Sequence, residues 1–276
     1  MPELPEVETV RRGLEKLVVG QRITAVDVRY PKIIIGEPAK FCQTLNNKKL
    51  LSIGRRGKFL LFNFDQNLTM VSHLRMEGKY FIRQIDQPLE KHTHIIFQLA
   101  NGQQLRYNDV RKFGRMQLVK TDQVQNLPNL RKLGPEPLSD DFKLRDFAIK
   151  LSHCKKAIKP ALLDQTIVVG LGNIYVDEVL WLSQLNPLTG CNELTAKQVA
   201  NLFQNIIQEL TAAVKAGGTT VRTYTDAFEH SGKFQFALHV YGKEGQPCQR
   251  CGTKIQKIRV AQRGTHFCPQ CQQVPS

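Results

Sequence analysis

The chain has 276 residues, and its 39 Lys and Arg against 24 Asp and Glu give a formal charge of +15. Such a surplus favours a polyanionic partner, with nucleic acid the first candidate. The length suits two domains, or one domain with appendages, and it allows a real core. No apolar run reaches about 20 residues, and the basic residues are scattered along the chain, so a membrane partner is not expected. The acidic start predicts no signal peptide.

The first eight residues read Met-Pro-Glu-Leu-Pro-Glu-Val-Glu and offer an unusual chemical group. Removal of Met1 would give Pro2 a free secondary amine, and a free α-amino group has a pKa of about 7.7 to 8.0. Such an amine can attack an aldehyde-type carbon and form an iminium, and Glu3 could transfer protons. The alternative is a simple helix start, because apolar residues recur at helical spacing at Val7, Val10, Leu14 and Leu17.

Short apolar or alternating runs separated by turn signals follow this opening helix. They lie at residues 23–28, 50–53, 59–64, 70–74, 95–99 and 116–119. Asn101-Gly102 between two such runs is a strong hairpin signal. The pattern predicts an all-β unit of about 120 residues, either a sandwich or a barrel.

Three clusters of basic and aromatic residues fall in the connections, where a β scaffold presents side chains to a ligand. They are Arg55-Arg56-Gly57-Lys58-Phe59, His73-Leu74-Arg75-Met76-Glu77, and the stretch 108–115 with Arg111 and Phe113. A guanidinium can bond a base edge, and an aromatic ring can replace lost base stacking. The alternatives are a solvated charged turn for the first cluster and a core position for Met76.

The pattern changes to helical in the second half, after a Pro-rich segment at 121–142. Helical spacing at 147–151, 173–185 and 195–214 predicts a helical bundle. Gly170-Leu171-Gly172-Asn173 stands just before one helix, where exposed backbone N–H groups and an Asn N-cap would suit a phosphate. Residues 217–236 are predicted to form a loop.

Two cysteine pairs, Cys248-x-x-Cys251 and Cys268-x-x-Cys271, lie near the C-terminus with 16 residues between them. This is the spacing of a four-thiolate zinc ribbon. A redox dithiol would need only one pair in a βαβ context. Between the pairs, residues 255–260 and 265–267 alternate like two strands, which predicts a zinc-stapled hairpin with Arg263 at its tip.

The motifs taken together resemble those of the formamidopyrimidine-DNA glycosylases. The resemblance runs in order over nearly the whole chain, from PELPEVE through Arg-Lys-Phe-Gly and Gly-Asn-Ile-Tyr to the zinc hairpin. It implies a bifunctional DNA glycosylase and AP lyase of base excision repair, which removes 8-oxoguanine and formamidopyrimidines through a Schiff base on an N-terminal proline and cuts by β,δ-elimination. It also implies double-stranded DNA with oxidised bases as partner, one structural Zn²⁺, a monomer, and a bacterial cytoplasmic location at the nucleoid.

The resemblance assigns roles to individual positions. It implies that the catalytic residues are Pro2, Glu3, Lys58 and Arg263, and that the DNA contacts are His73, His92, Arg111, Lys159 and Asn173. Met76 and Phe113 would fill the gap left by a flipped nucleotide. Zinc would be held by Cys248, Cys251, Cys268 and Cys271.

The predicted fold class is α+β: an N-terminal β-sandwich with flanking helices, then a helix-two-turn-helix bundle and the zinc hairpin. We predict a catalytic domain at 1–125, a linker at 126–142, a DNA-binding helical domain with a lesion-capping loop at 143–238, and a zinc finger at 239–276. Two other functions stay open. One is an endonuclease VIII-type glycosylase for oxidised pyrimidines, against which Leu4 and the Arg111 and Phe113 loop argue, and the other is a non-catalytic zinc-ribbon DNA-binding protein.

Overall fold

The computed structural model describes residues 1–219 and 232–273. It divides into two compact units, Met1–Arg131 with Ala216–Lys233, and Lys132–Lys215 with Phe234–Ser276. The described residues 216–219 and 232–233 therefore group with the first unit, whereas the sequence prediction placed them in the helical domain. Most of the predicted lesion-capping loop, residues 220–231, lies outside the described residues.

The first unit contains two four-stranded antiparallel sheets. In chain order the strands are β1 Ile23–Val28, β2 Leu50–Arg56, β3 Phe59–Phe64, β4 Leu68–His73, β5 Lys79–Gln84, β6 Thr93–Leu99, β7 Gln103–Asn108 and β8 Arg115–Lys120. One sheet has the order β1-β6-β7-β5 and the other β2-β3-β4-β8. The six predicted runs all became strands. The other two strands, β5 and β7, were not among those runs, although Asn101-Gly102 predicted the hairpin turn that precedes β7.

A single apolar core joins the two sheets, which makes this unit a sandwich. In β3 the alternation buries Leu60, Phe62 and Phe64 on one face, and these pack in one cluster with Phe97 of β6 and Tyr107 of β7. Strands of both sheets thus give their inward residues to a shared interior, as period-2 patterning requires. The predicted α+β class with an N-terminal sandwich is confirmed.

Two helices flank the sandwich, α1 Leu4–Val18 and α2 Pro38–Leu45. Val7, Val10 and Leu14 lie on the buried face of α1, which packs against β2 and β3. Pro5 fits the first turn because backbone N–H groups there have no intrahelical acceptor, so the N–H that proline lacks costs no hydrogen bond. The opening helix was predicted, and α2 was not.

The second unit combines helices with a small β-ribbon. The helices are α3 Leu144–Ser152, α4 Ile158–Leu163, α5 Asn173–Leu182 and α6 Ala196–Lys215, and the ribbon pairs β9 Gln256–Val260 with β10 Arg263–Phe267. The buried face of α6 is apolar except for Glu209. The short α4 was missed by the sequence reading. Among the described residues, no helix has the length and apolar character to cross a membrane.

Candidate active site and DNA-binding surfaces

Pro2 and Glu3 are buried at the start of α1. The Glu3 backbone N–H donates to Glu6 Oε2 at 2.8 Å, so an N3 carboxylate satisfies a donor that the helix start leaves open. The other oxygen of Glu6 accepts from the Thr219 backbone N–H at 2.7 Å and from its hydroxyl at 3.1 Å. One buried carboxylate thus joins the helix start to the segment that follows α6.

Lys58 sits in the tight turn between β2 and β3. The neighbouring Gly57 has a φ of +55°, a left-handed conformation that favours glycine at this position. Arg11 Nη1 donates to the Ile53 carbonyl at 3.2 Å, and Arg55 Nε donates to Glu8 Oε2 at 3.0 Å. The strand β2 therefore runs towards the first residues of α1. Its terminal turn, with Lys58 only 7% exposed, lies beside that end of the helix.

Glu8 holds this packing together through three guanidinium groups. Burial by itself would raise the pKa of Glu8, but hydrogen bonds from Arg11, Arg12 and Arg55 outweigh it and lower the pKa. The carboxylate is therefore ionised at neutral pH. It ties α1 to β2 and fixes the approach of the Lys58 turn.

His73 shapes the loop that carries Met76. Its Nδ1 accepts the Arg75 backbone N–H at 2.9 Å, and Phe59 packs edge-on against the ring at a centroid distance of 4.5 Å. Burial, and then the charges of Arg75 and Lys58, lower the pKa of His73 to about 3. A neutral imidazole follows, which suits an acceptor in a turn where Arg75 has a φ of +57°. The half-buried Met76 follows directly.

Asp109 organises the loop of Arg111 and Phe113. Its two carboxylate oxygens accept the backbone N–H groups of Arg111 at 3.0 Å and Gly114 at 2.8 Å. A Cβ at Gly114 would lie 1.7 Å from Tyr107 Oη, so only glycine fits. The Arg111 guanidinium lies over the Phe113 ring at 4.8 Å, and Phe113 is 47% exposed.

His92 is half-buried at the base of the same loop, where its carbonyl accepts the Asp109 N–H at 3.1 Å. Its ring lies 6.5 Å from that of His94. His94 Nε2 in turn bonds the Asp109 carbonyl at 2.9 Å. The two histidines thus hold the base of the Arg111 loop through Asp109. The sequence analysis did not identify this role of Asp109.

The second unit brings Lys159, Asn173 and the hairpin together. Lys159 Nζ lies 2.6 Å from Asp177 Oδ1, and both side chains are fully buried. Asn173 Nδ2 donates to the Gly264 carbonyl at 2.9 Å. The N-cap of α5 is Gly172, not Asn173 as predicted. Gly172 takes the extended cap conformation without strain, and Asn173 becomes the first helical residue.

Arg263 is exposed and opens β10 directly after a two-residue turn of Ala261 and Gln262. Both turn residues have positive φ, 46° and 64°, which non-glycine residues adopt at a cost of roughly 1 to 2 kcal/mol each. The predicted tip at 262–264 is thus shifted by one residue. Arg263 flanks the turn on its C-terminal side.

The four cysteines form a metal site at the base of the hairpin. All four Sγ atoms lie within 4.8 Å of one another, and Cys251 Sγ is 3.4 Å from both Cys268 and Cys271. Zinc with Zn–S bonds of about 2.3 Å needs S–S distances of about 3.8 Å in a tetrahedron. The thiols fit one structural Zn²⁺, and four protein ligands leave no open position for water.

Two residues of α5 attach the zinc segment to the helices. Glu178 is buried and accepts three consecutive backbone N–H groups, from His239, Val240 and Tyr241, at 2.6 to 2.9 Å. Trp181 Nε1 donates to Cys248 Sγ at 3.4 Å. Neither role was anticipated from the sequence, where both residues read as ordinary helix positions.

Comparison with known proteins agrees with this arrangement in the N-terminal, helical and zinc-binding parts of the chain. Three family models match in order: the formamidopyrimidine-DNA glycosylase N-terminal domain at residues 1–116, the formamidopyrimidine-DNA glycosylase H2TH domain at 133–225, and a zinc finger found in FPG and IleRS at 245–274. The chain belongs to the formamidopyrimidine-DNA glycosylase family. The predicted resemblance is therefore confirmed.

Similar proteins of this family match the chain over almost its full length. A formamidopyrimidine-DNA glycosylase of Ligilactobacillus salivarius is 60% identical over 276 residues, which is all of both chains. The crystal structure of a Lactococcus lactis FPG mutant with a Fapy-dG-containing DNA has a TM-score of 0.95 at 49% identity, covering 99% of this chain and 100% of that one. The crystal structure of the wild-type L. lactis protein with an oxidised-pyrimidine-containing DNA has a TM-score of 0.93 at 48% identity, with the same coverage of both chains.

Proposed function

We propose that this glycosylase-family chain excises oxidised purines, namely 8-oxoguanine and formamidopyrimidines, from double-stranded DNA and then cuts the strand at the abasic site. The observation that carries the proposal is the start of α1. There Pro2 and Glu3 are buried, and Glu6 Oε2 accepts the Glu3 backbone N–H at 2.8 Å. The strand that leads to Lys58 is held to α1 through Arg11 and Arg55. A free amine at Pro2 is a nucleophile next to the Glu3 carboxylate in the chain.

The first stage replaces the bond to the base with a bond to Pro2. After Met1 is removed, the Pro2 nitrogen attacks C1′, the C1′–N bond breaks and the base leaves with a proton. Protonation of O4′ by Glu3 opens the sugar ring and leaves a C1′ iminium. The damaged nucleotide must leave the base stack for this attack to occur.

The second stage cuts the strand by two eliminations. The iminium acidifies C2′, loss of that proton expels the 3′ phosphate, and a later proton loss at C4′ expels the 5′ phosphate. The sugar remains on Pro2 until hydrolysis restores the amine. We assign Lys58 and Arg263 as the cations that stabilise the departing phosphates, and His92 and Asn173 as backbone contacts.

Met76, Arg111 and Phe113 are the residues proposed to fill the vacated space. Arg111 and Phe113 stand together on a loop that Asp109 braces, with the exposed ring beneath the guanidinium. The guanidinium can bond the edge of the orphaned cytosine while the ring replaces lost stacking. Zinc supplies hairpin stability and no chemistry, because its ligand set is closed.

Borohydride trapping tests the proposal. On a duplex with 8-oxoguanine opposite cytosine, reduction should fix the iminium as a covalent adduct to the N-terminal peptide. Pro2→Gly keeps an amine and should trap more slowly, whereas a chemically blocked N-terminus should give no adduct. Absence of an adduct with the mature wild-type protein, with Met1 loss confirmed by mass, would refute the enzyme assignment. An adduct that survives blocking would point to a lysine.

The substrate range is tested by the same assay on an oxidised-pyrimidine duplex. We expect faster trapping on the oxidised purine. A clear preference for the pyrimidine would favour the endonuclease VIII-type alternative. We also propose that the protein acts as a monomer in the bacterial cytoplasm, at the nucleoid, where its substrate lies.

A further inference from the structure

One edge of the β9–β10 sheet, formed by β10, has no further strand beside it in the described residues and faces the helices of its own unit. A two-residue turn makes its closing pair, Val260 and Arg263, a hydrogen-bonded one. The alternation of an antiparallel ladder then directs the N–H and C=O groups of Gly264 and His266 away from β9. Such an edge needs partners when it is buried.

Three polar side chains from α4 and α5 pair with this edge. The Gly264 carbonyl accepts from Asn173 Nδ2 at 2.9 Å and from Lys159 Nζ at 3.3 Å. The His266 backbone N–H donates to Asp177 Oδ2 at 2.8 Å. The Lys159–Asp177 ion pair, at 2.6 Å, links the two contacts. Together these groups occupy the place that a third strand would take.

A buried ion pair is a costly way to gain stability alone, because desolvation of both charges can exceed their attraction. An apolar pair would pack equally well but could not bond a carbonyl and an N–H at defined positions. The pair therefore defines where β10 sits on the helices. The residue placed most directly is Arg263, which is joined to Gly264 by one peptide bond.

We propose that Lys159 and Asp177 are positioning residues that hold the Gly264 peptide and so aim Arg263 at the phosphate of the second elimination. The inference rests on the proposed function and changes the expected role of Lys159. Its ammonium is buried and engaged by Asp177 and Gly264, so its part in DNA cleavage is exerted through the hairpin.

The test compares rates of the second elimination at saturating enzyme, where binding does not limit. The gel separates the unsaturated-sugar end left by β-elimination from the 3′-phosphate left by β,δ-elimination. Asp177→Asn keeps the shape of the side chain but removes the charge that faces Lys159. We expect conversion of the sugar end to slow about ten- to a hundredfold, as displacement of a positioned group does. Borohydride trapping at Pro2 and zinc content should stay near wild type.

Two further variants separate positioning from a general structural effect. Combining Asp177→Asn with Arg263→Ala should slow the second elimination no more than Arg263→Ala alone, because Asp177 acts through Arg263. Asp164→Asn breaks a lysine–aspartate pair on the surface of the same unit, with Lys156, and should leave the products unchanged. Hydrogen exchange at the His266 amide should rise in Asp177→Asn only.

The outcomes distinguish the inference from the function beneath it. If Arg263→Ala accumulates the sugar end but Asp177→Asn gives only 3′-phosphate, the positioning inference is wrong and the proposed function stands. If Arg263→Ala also gives only 3′-phosphate, the role of Arg263 fails and the inference fails with it. If Asp177→Asn loses zinc or borohydride trapping, the double variant Lys159→Met with Asp177→Asn is used instead, because it buries no charge. Its products then test the positioning inference. Normal products from a folded double variant would refute positioning.

Discussion

Glu209 is a carboxylic acid on the otherwise apolar buried face of α6. Its Oε1 has no hydrogen-bond partner within the described residues. Burial, and then the nearby charge of Glu178, raise the pKa of Glu209 from 4.5 to about 8. Glu178 accepts three backbone N–H groups, as an ionised carboxylate does, so Glu209 is the member of the pair that keeps its proton.

Stability should therefore fall as the pH rises through this range. Between about pH 4.5 and 8 the unfolded chain has lost the Glu209 proton and the folded chain retains it, which gives the free energy of unfolding a negative slope with pH. Glu209→Gln should flatten this slope and raise stability at pH 8 by on the order of 2 kcal/mol. Urea unfolding at several pH values measures it. Asp140→Asn, at an exposed carboxylate, serves as control, and an unchanged slope in Glu209→Gln would contradict the assignment.

His73, which the family resemblance placed among the DNA contacts, is a buried residue at the start of the Met76 loop. With a pKa of about 3 it is neutral at physiological pH and accepts the Arg75 N–H. We expect His73→Asn to leave the salt dependence of DNA binding unchanged, since no counterion is released by a neutral group. It should slow lesion excision through the Met76 loop.

The matched variant is Arg263→Ala, at an exposed cation. Loss of one phosphate contact should reduce the slope of log K against log salt by about one. Fluorescence anisotropy with a labelled duplex gives both slopes. A reduced slope for His73→Asn would mean that the histidine is charged when DNA is bound.

At the scale of elements, α5 is the support of the zinc hairpin. Trp181, the only tryptophan in the chain, lies between the His239 ring at 4.3 Å and the Arg250 guanidinium at 3.7 Å. Its indole N–H donates to Cys248 Sγ. Groups that bond a metal ligand in this way orient it and tune the site.

Removal of zinc should therefore be visible in tryptophan fluorescence. Chelation should shift Trp181 emission to longer wavelength as the Cys248 and Arg250 contacts are lost, in step with zinc release followed by a colorimetric dye. Trp181→Phe should bind zinc more weakly, by about tenfold, as loss of an outer hydrogen bond does at other metal sites. Zinc release without any change in emission would show that the indole does not sense the site.

At the scale of the whole molecule, each unit has its own core, and zinc belongs to the second. The affinity of a small metal-bound hairpin is itself folding free energy. Cys268→Ser should unfold the hairpin and weaken DNA binding while the sandwich keeps its hydrogen-exchange protection. The conservative control is Cys42→Ser, in α2. Equal loss of protection in both units would mean that they do not fold independently.

The features that could be predicted from the sequence alone are those whose chemistry is local. Each of these features can be recognised from residues that are close in the sequence. They are the proline amine, the four thiolates at zinc-ribbon spacing, the period-2 strands and the apolar stripe of a helix. The zinc ligands, the sandwich and α6 were accordingly predicted. The strand β5 was missed because Tyr80, Phe81 and Ile82 are consecutive and give no period-2 alternation, and its place depends on pairing with β7.

Which polar residues are buried, and which groups they bond, depends on the tertiary structure. Glu6 bonds Thr219, 213 residues away along the chain. Lys159 bonds Gly264 at a separation of 105 residues, and Asp177 bonds His266 at a separation of 89. Spacing along the chain cannot reveal such partners. Burial also sets the state of single residues: desolvation makes His73 a neutral acceptor, and Lys159 forms an internal ion pair with Asp177, because a charge removed from water must be paired or lost. Their contacts with DNA stay predictions.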